Sequence, residues 1–245
     1  MDTDLILGPR RGWFITMEGV WGAGKTTNAR RLAAHLSEQG FRATVLHDGV
    51  HDGVISELST VLDKQPLRSR EGDGGYEQPH HATVDVLLRQ CREAYQHREL
   101  YAPMLAGHDV VISDRGAFSK LAYAITVLLE QHPHATQEAL LERLHAISSP
   151  WWLAPDRAFF LDQPWQQARQ RAIARNRGDQ CQSSSRERLL FLPHYDAAYR
   201  FVVDSSPKRT MRVPVGQRGP DEVFTDIAAS TAELLRVPTT ARASS

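Results

Sequence analysis

Cysteine is scarce in this chain. Cys91 and Cys181 are the only two in 245 residues, and neither lies near a His or Cys spacing typical of a metal site. A disulfide framework or a cysteine-based metal centre is therefore not predicted. The interpretation that this usage favours is a cytoplasmic protein with two free thiols.

Long apolar runs and a surplus of charge of one sign are missing as well. No stretch approaches the length of a membrane span, and the N-terminal stretch lacks the basic-then-apolar layout of a secretory signal. Lys plus Arg and Asp plus Glu each total 29, so the formal net charge is zero. We therefore expect no membrane partner and no large nucleic-acid surface, although a local basic pocket for phosphates fits this composition.

Residues 19–27 form the most informative segment of the chain. They read G-V-W-G-A-G-K-T-T and match the phosphate-loop pattern G-x-x-x-x-G-K-[ST]. Glycines let successive backbone N–H groups face a polyphosphate, Lys25 can reach its β- and γ-phosphates, and the Thr26 hydroxyl can ligate Mg²⁺. The predicted nucleotide-binding residues in this loop are Gly19, Gly22, Ala23, Gly24, Lys25, Thr26 and Thr27. Binding of a nucleoside triphosphate with Mg²⁺ follows.

The elements around the loop predict an α/β domain. A β-prone run at 13–17 precedes the loop and a helical pattern at 26–39 follows it. Further strands are predicted at 43–46, 110–112, 158–162 and 212–215, and helices at 54–63, 83–106, 117–130, 136–147, 164–176, 186–203 and 221–235. Pro193 is expected to kink or split its helix. Alternating strands and helices indicate a three-layer fold with a mostly parallel sheet, and we expect one domain over 1–245 with its core at 13–235.

Three segments are expected to be irregular. A leader covers 1–11, and a Gly- and charge-rich insert covers about 68–82. The loop at 47–53 repeats His-Asp-Gly, which suits either an acidic pocket rim or a pair of solvated turns.

Ordered blocks of sequence resemble thymidylate kinase and its relatives among the nucleoside and nucleotide kinases. The first block is the phosphate loop with its strand at 14–27, which is similar to F-I-x-x-E-G-x-D-G-x-G-K-T-T, and the second is the helix with Arg92 and Pro103. The third, at 114–123, is similar to D-R-Y-x-x-S-x-x-A-Y, and the fourth, at 155–162, is similar to P-D-L-x-x-x-L-D. The fifth is an arginine-bearing segment before Gly178. The resemblance implies a P-loop kinase fold with a lid, use of ATP and Mg²⁺, and pairing into a homodimer through the helices flanking the Asp114–Arg115 strand.

The predicted catalytic residues combine the loop with two other blocks. Lys25 is assigned to the charge of the transition state, and Asp114 to the metal together with Thr26. Arg115 is expected to face the acceptor phosphate or the transferring group. Arg171 and Arg175 share a helix face and, with Arg177 toward the nucleotide, could close a lid at about 171–186 that excludes water. A solvated basic helix face is the alternative for these arginines.

Departures from the family's pattern fall on the acceptor side. Trp21 replaces an acidic residue that helps hold the acceptor's sugar, and Gly116 replaces a tyrosine. No arginine follows strand two at 46–50, where the family has an Arg-Glu-Pro-like block. The Trp21 ring could form the base of the acceptor pocket or pack against the lid. The predicted acceptor-binding residues are Trp21, Arg92, Tyr95, Arg115, Ser119 and Tyr123, although the spacing from Arg92 to Pro103 differs from the family's by one residue.

Three functions are compatible with these residues. The leading hypothesis is an ATP-dependent kinase acting on a nucleoside monophosphate or related acceptor, with an acceptor site that has diverged from thymidylate. The second is a kinase that phosphorylates a hydroxyl of a nucleoside or another small metabolite, which the missing arginine favours. The third is a nucleotide-binding regulator that does not catalyse, against which the intact Lys25, Thr26, Asp114 and Arg115 argue.

Overall fold

The structure is a computed structural model. It describes residues 12–47, 53–54, 56–57, 68–69, 76–77, 82–176 and 183–236. Several predictions concern residues outside this part: the leader at 1–11, most of the His-Asp-Gly loop and of the insert, the later half of the helix at 54–63, Arg177 in the lid, and Cys181.

A parallel sheet forms the centre of the molecule. The strands in chain order are β1 (Trp13–Glu18), β2 (Ala43–His47), β3 (Arg68–Ser69), β4 (Tyr76–Glu77), β5 (Val110–Asp114), β6 (Arg157–Asp162) and β7 (Thr210–Pro214). Five of them form one sheet in the order β2-β5-β1-β6-β7, with every neighbouring pair parallel, while β3 and β4 form a short antiparallel ladder. The predicted mostly parallel sheet is confirmed.

Helices flank the sheet. In chain order they are α1 (Lys25–Glu38), α2 (Ala82–Gln96), α3 (Ala102–Gly107), α4 (Ala117–Gln131), α5 (Gln137–Ser148), α6 (Trp165–Asn176), α7 (Ser183–Asp204) and α8 (Pro220–Leu235). Helix α5 begins after Thr136, whose hydroxyl accepts a hydrogen bond from the Ala139 amide at 3.2 Å, as expected of an N-cap. None of the described helices is long and apolar enough to cross a membrane.

Two helices differ from their predictions. The helix predicted at 83–106 is interrupted by a π-turn at His97–Tyr101, which joins α2 to α3. A π-turn accommodates one additional residue within a helix. Helix α7 is not split by Pro193, which lies inside it, and it begins at Ser183, three residues before the helix predicted at 186–203.

The core brings the polar ends of the strands to one edge. Val110, Val111 and Ile112 of β5 are fully buried, and so are Ile15 and Met17 of β1. Because parallel strands end at the same edge, the last residues of β1, β2 and β5 lie together there. Any site built from these strands lies at that edge.

Candidate active site

The phosphate loop turns tightly between β1 and α1. Gly22 and Gly24 adopt left-handed backbone angles, with φ of 92° and 96°. A Cβ on Gly22 would lie 2.4 Å from the Ala168 carbonyl oxygen of α6, so the loop packs directly on that helix. Lys25 is buried, and its Nζ donates to the carbonyl oxygens of Gly19 at 2.7 Å and Val20 at 2.8 Å. The ammonium is therefore held inside the loop.

The loop meets β5 through a hydroxyl and a carboxylate. Thr26 Oγ1 donates to Asp114 Oδ2 at 2.6 Å. The other oxygen of this buried carboxylate, Oδ1, has no hydrogen-bond partner among the described residues. His47 pairs with Asp114 in the sheet register, and its Nδ1 lies 3.6 Å from Oδ2.

These oxygens fit a magnesium ion. Mg²⁺ is usually held by one or two carboxylates together with waters and substrate phosphates. The described residues contain no group of three or more His, Cys, Asp and Glu side chains that could hold a metal alone. Thr26 and Asp114 are therefore the residues that would hold Mg²⁺, which neutralises negative charge on the phosphates when bound.

Arg115 follows Asp114 in a strained backbone conformation. Its φ is 86°, the only positive value of a non-glycine residue in the described part of the chain. Its amide donates to the Met17 carbonyl at 3.2 Å, and its carbonyl accepts from Ser113 Oγ at 2.6 Å. The guanidinium carbon lies 6.0 Å from the centroid of the Trp21 ring. Strain of this kind is found where the surrounding structure holds a functional group in place.

Trp21 belongs to an aromatic cluster with α7. Its ring stacks on Tyr195 at a centroid distance of 4.9 Å and meets Phe191 at 5.9 Å. Phe191 in turn lies 5.6 Å from Tyr123, on α4. These contacts lie on α7 beyond the predicted lid at about 171–186, so both roles predicted for Trp21, at the base of the acceptor pocket and against the lid, stay predictions.

Ser119 lies in a buried polar network rather than on an open surface. Its hydroxyl donates to Glu18 Oε2 at 2.8 Å, and its amide donates to the same oxygen at 3.3 Å. Tyr199 also donates to Glu18 Oε2. No role is predicted from the sequence for Glu18 or Tyr199. Glu18 belongs to the family-like E-G pair, whereas no motif distinguishes Tyr199.

Helix α2 buries polar residues and exposes apolar ones. Asp85, Gln90, Glu93 and Gln96 are buried, as is His97 at the start of the π-turn. The apolar or aromatic residues on the exposed face of α2 are Val84, Leu87 and Tyr95. Tyr95 is on the exposed face, and its contact with the acceptor stays a prediction. Arg92 is mostly buried, with its NH2 nitrogen 3.6 Å from Glu93 Oε1. The π-turn lies between Arg92 and Pro103, within the stretch whose spacing differs from the family's by one residue.

The buried face of α2 meets α4 through charged groups. Lys120 donates to Glu93 and, at 3.2 Å, to Gln96 Oε1. Burial and the nearby Lys120 charge lower the pKa of His97 to about 3. The guanidinium of Arg89 lies 4.4 Å over the Tyr123 ring, and burial raises the pKa of Tyr123. A helix face of this polarity is a candidate binding surface, because burying charged groups is costly without such a function.

The predicted lid arginines are only partly described. Arg171 is exposed, and its NH2 nitrogen donates to the Gly216 carbonyl, after β7, at 3.3 Å. In this conformation it lies against that loop. The Arg175 side chain and all of Arg177 lie outside the described residues, so their roles stay predictions.

Comparison with known proteins identifies the family. The family model for thymidylate kinase matches residues 17–227. The chain belongs to the thymidylate kinase family. It is 28% identical over 229 residues to the thymidylate kinase of Geotalea uraniireducens, covering 92% of this chain and 98% of that one. It is 28% identical over 222 residues to the probable thymidylate kinase of Halobacterium salinarum, covering 90% and 96%.

A third relative of the thymidylate kinase family is similar to this chain over most of its length. The chain is 30% identical over 199 residues to the thymidylate kinase of Bordetella pertussis, covering 81% of this chain and 85% of that one. The predicted resemblance, the P-loop kinase fold and the prediction that the chain is a kinase are confirmed. The chain is therefore a phosphotransferase of the P-loop type that binds ATP.

Proposed function

We propose that the chain transfers the γ-phosphoryl group of ATP to a nucleoside monophosphate, in an acceptor site that differs from that for thymidylate. The observation that carries this proposal is the convergence of Lys25, Thr26, Asp114 and Arg115 at one edge of the sheet. The similarity to thymidylate kinases supports a nucleotide acceptor.

The proposed mechanism depends on position and charge. Phosphoryl transfer passes through a transition state with negative charge spread over the transferred oxygens, so the protein contributes fixed positive groups. Lys25 is already directed into the loop by two carbonyls and would exchange these for phosphate oxygens. Arg115 would orient the acceptor or the moving group, since its backbone is fixed by Met17 and Ser113. The roles of Arg171, Arg175 and Arg177 in excluding water are part of this proposal.

Divergence of the acceptor site is supported by three local features. An aromatic stack occupies the position of the family's acidic loop residue, at Trp21. A side chain at position 116 has no room, because a Cβ there would lie 2.4 Å from Glu18 Oε1. At the end of β2, His47 stands near Asp114 where the family's arginine block begins.

A second candidate function is phosphorylation of a hydroxyl. The feature that favours it is the same end of β2, where residues 46–50 contain no arginine to neutralise an acceptor phosphate. An uncharged acceptor needs no such cation.

A panel of acceptors separates these possibilities. ADP release would be measured with Mg·ATP and each of dTMP, dUMP, dCMP, dGMP and dAMP, and with the five free nucleosides. The proposal expects one or more monophosphates other than dTMP to give the highest kcat/KM, and a nucleoside as best substrate would instead establish the second candidate. Lys25→Ala is the matched control. If the wild-type protein turned over no faster than Lys25→Ala with every acceptor, the result would favour a regulator that does not catalyse.

We also propose that two copies of the chain associate. The exposed face of α2 carries a stripe of apolar and aromatic side chains, Val84, Leu87 and Tyr95. Helix α2 precedes β5 in the chain, so it is one of the helices through which pairing is predicted. Light scattering of the purified protein should give a molar mass of twice the 27.5 kDa of one chain. The Leu87→Glu variant should give the mass of a single chain. Cys91 is free and exposed, which suits the predicted reducing cytoplasm.

A further inference from the structure

The first glycine of the phosphate loop is held by a residue from the far end of the chain. The Gly19 amide donates to the hydroxyl oxygen of Tyr199 at 2.9 Å. Tyr199 lies on α7, is fully buried, and is separated from Gly19 by 180 positions. Its ring packs on Phe160 at a centroid distance of 5.4 Å and on Tyr195 at 5.2 Å. The hydroxyl therefore has a fixed place beside the loop.

Glu18 fixes the direction of the Tyr199 hydroxyl. Tyr199 donates its proton to Glu18 Oε2, which leaves its oxygen lone pairs facing the Gly19 amide. Glu18 is itself fully buried and receives two more hydrogen bonds from Ser119. Burial and the Glu18 charge raise the pKa of Tyr199 well above its ordinary value, so the phenol keeps its proton.

Gly19 connects this network to the catalytic lysine. The carbonyl of Gly19 accepts from Lys25 Nζ, while its amide donates to Tyr199. Its φ of 134° is one that glycine adopts readily, and a Cβ would lie 2.9 Å from the Leu161 carbonyl oxygen. A glycine in this position turns freely unless its neighbours hold it. The hydrogen bond to Tyr199 fixes the peptide group that precedes Gly19, and Lys25 contacts the peptide group that follows it, so Gly19 is held from both sides.

We propose that Tyr199 is a positioning residue for ATP binding, which fixes the Glu18–Gly19 peptide and with it the start of the phosphate loop. Tyr199 touches neither substrate nor reacting atoms in this proposal. The inference depends on ATP binding alone and not on which acceptor the enzyme uses.

Tyr199→Phe tests the proposal directly. The variant keeps the ring contacts with Phe160 and Tyr195 and removes the hydroxyl. We expect the dissociation constant for a non-hydrolysable Mg·ATP analogue, measured by calorimetry, to rise about tenfold, since a buried amide loses its partner. Calorimetry needs no acceptor, so failure of the proposed acceptor would leave this result unaffected.

Tyr195→Phe is the matched control. It makes the same chemical change one turn earlier on α7, at a buried tyrosine whose hydroxyl donates to the Ser119 carbonyl at 3.1 Å. Both variants should lower the melting temperature, whereas only Tyr199→Phe should weaken binding of the analogue. A ratio of the two dissociation constants below about threefold would show that Tyr199 serves stability alone and would overturn the proposal.

Amide exchange tests the same point without a variant. In wild-type protein free of nucleotide, the Gly19 amide should exchange with deuterium far more slowly than an amide open to water, because it is buried and bonded to Tyr199. Rapid exchange of this amide in otherwise folded protein would contradict the proposed anchor, whatever the stability of Tyr199→Phe.

Discussion

Thr26 and Asp114 are 88 positions apart in the sequence, yet the hydroxyl of one donates to the carboxylate of the other at 2.6 Å. The contact joins the first turn of α1 to the last residue of β5. It brings together the two groups that would hold Mg²⁺, and it leaves Asp114 Oδ1 buried without a hydrogen-bond partner in the described part of the chain. The pair joins the phosphate loop to the edge of the sheet where the proposed catalytic residues lie.

Asp114→Asn should weaken the binding of Mg²⁺ next to Thr26 and slow the reaction. The amide keeps the shape of the carboxylate but removes the charge that attracts a divalent cation, so the half-saturating concentration of Mg²⁺ should rise and kcat should fall by about a hundredfold. Initial rates at increasing Mg²⁺ and fixed ATP measure both. Asp109→Asn, which removes a charge from an exposed pair with Arg42, is the control and should leave both values unchanged.

Gly116→Ala should destabilise the protein, although the backbone at this residue is extended. A Cβ would lie 2.4 Å from Glu18 Oε1 and 2.6 Å from Thr16 Cγ2, and both of these side chains are fully buried. We expect a loss of about 2 kcal/mol in the free energy of unfolding, measured with urea. Gly107→Ala is the matched control, because nothing lies within 4 Å of a Cβ there. Equal stability of the two variants would contradict the crowding inferred at Gly116.

The sequence predicted those parts of the site that depend on neighbouring residues. The phosphate loop, its strand and its helix follow from local spacing, and the placement of Asp114 follows from the rule that parallel strands end at one edge. The sequence therefore predicts that Thr26 and Asp114 serve the same metal ion, whereas the hydrogen bond between them is seen only in the structure.

Contacts between distant segments could not be predicted in this way. Tyr199 is one of several aromatic residues on α7, and nothing in its spacing distinguishes it from Tyr195. The π-turn at His97–Tyr101 has no local signal, and its additional residue changes the register of α3 relative to α2. Tyr95 is predicted to contact the acceptor because an aromatic ring suits a base, and its position on the exposed face of the helix could not be read from the sequence.

Trp21→Leu should affect the acceptor more than ATP. Leucine keeps an apolar side chain but loses the stack on Tyr195 and the aromatic plane below the Arg115 guanidinium. We expect KM for the best acceptor to rise about fivefold to tenfold, from the loss of roughly 1 kcal/mol of aromatic contact, while KM for ATP changes little. Kinetics with each substrate varied in turn give the comparison. A larger rise for ATP would show that Trp21 shapes the phosphate loop instead.

His97 should make the protein less stable in mild acid. Its pKa falls from an ordinary 6.5 to about 3, because burial disfavours the charged ring and Lys120 repels it. The folded protein therefore keeps the ring neutral while the unfolded chain binds a proton below pH 6.5, so stability is present above that pH and is lost as pH falls toward 3. Between about pH 7.5 and 5 the expected loss is about 2 kcal/mol. Urea unfolding of wild type and His97→Gln at both pH values measures it. The variant should lose less stability on acidification by about that amount, and an equal loss in both proteins would contradict a neutral, buried His97.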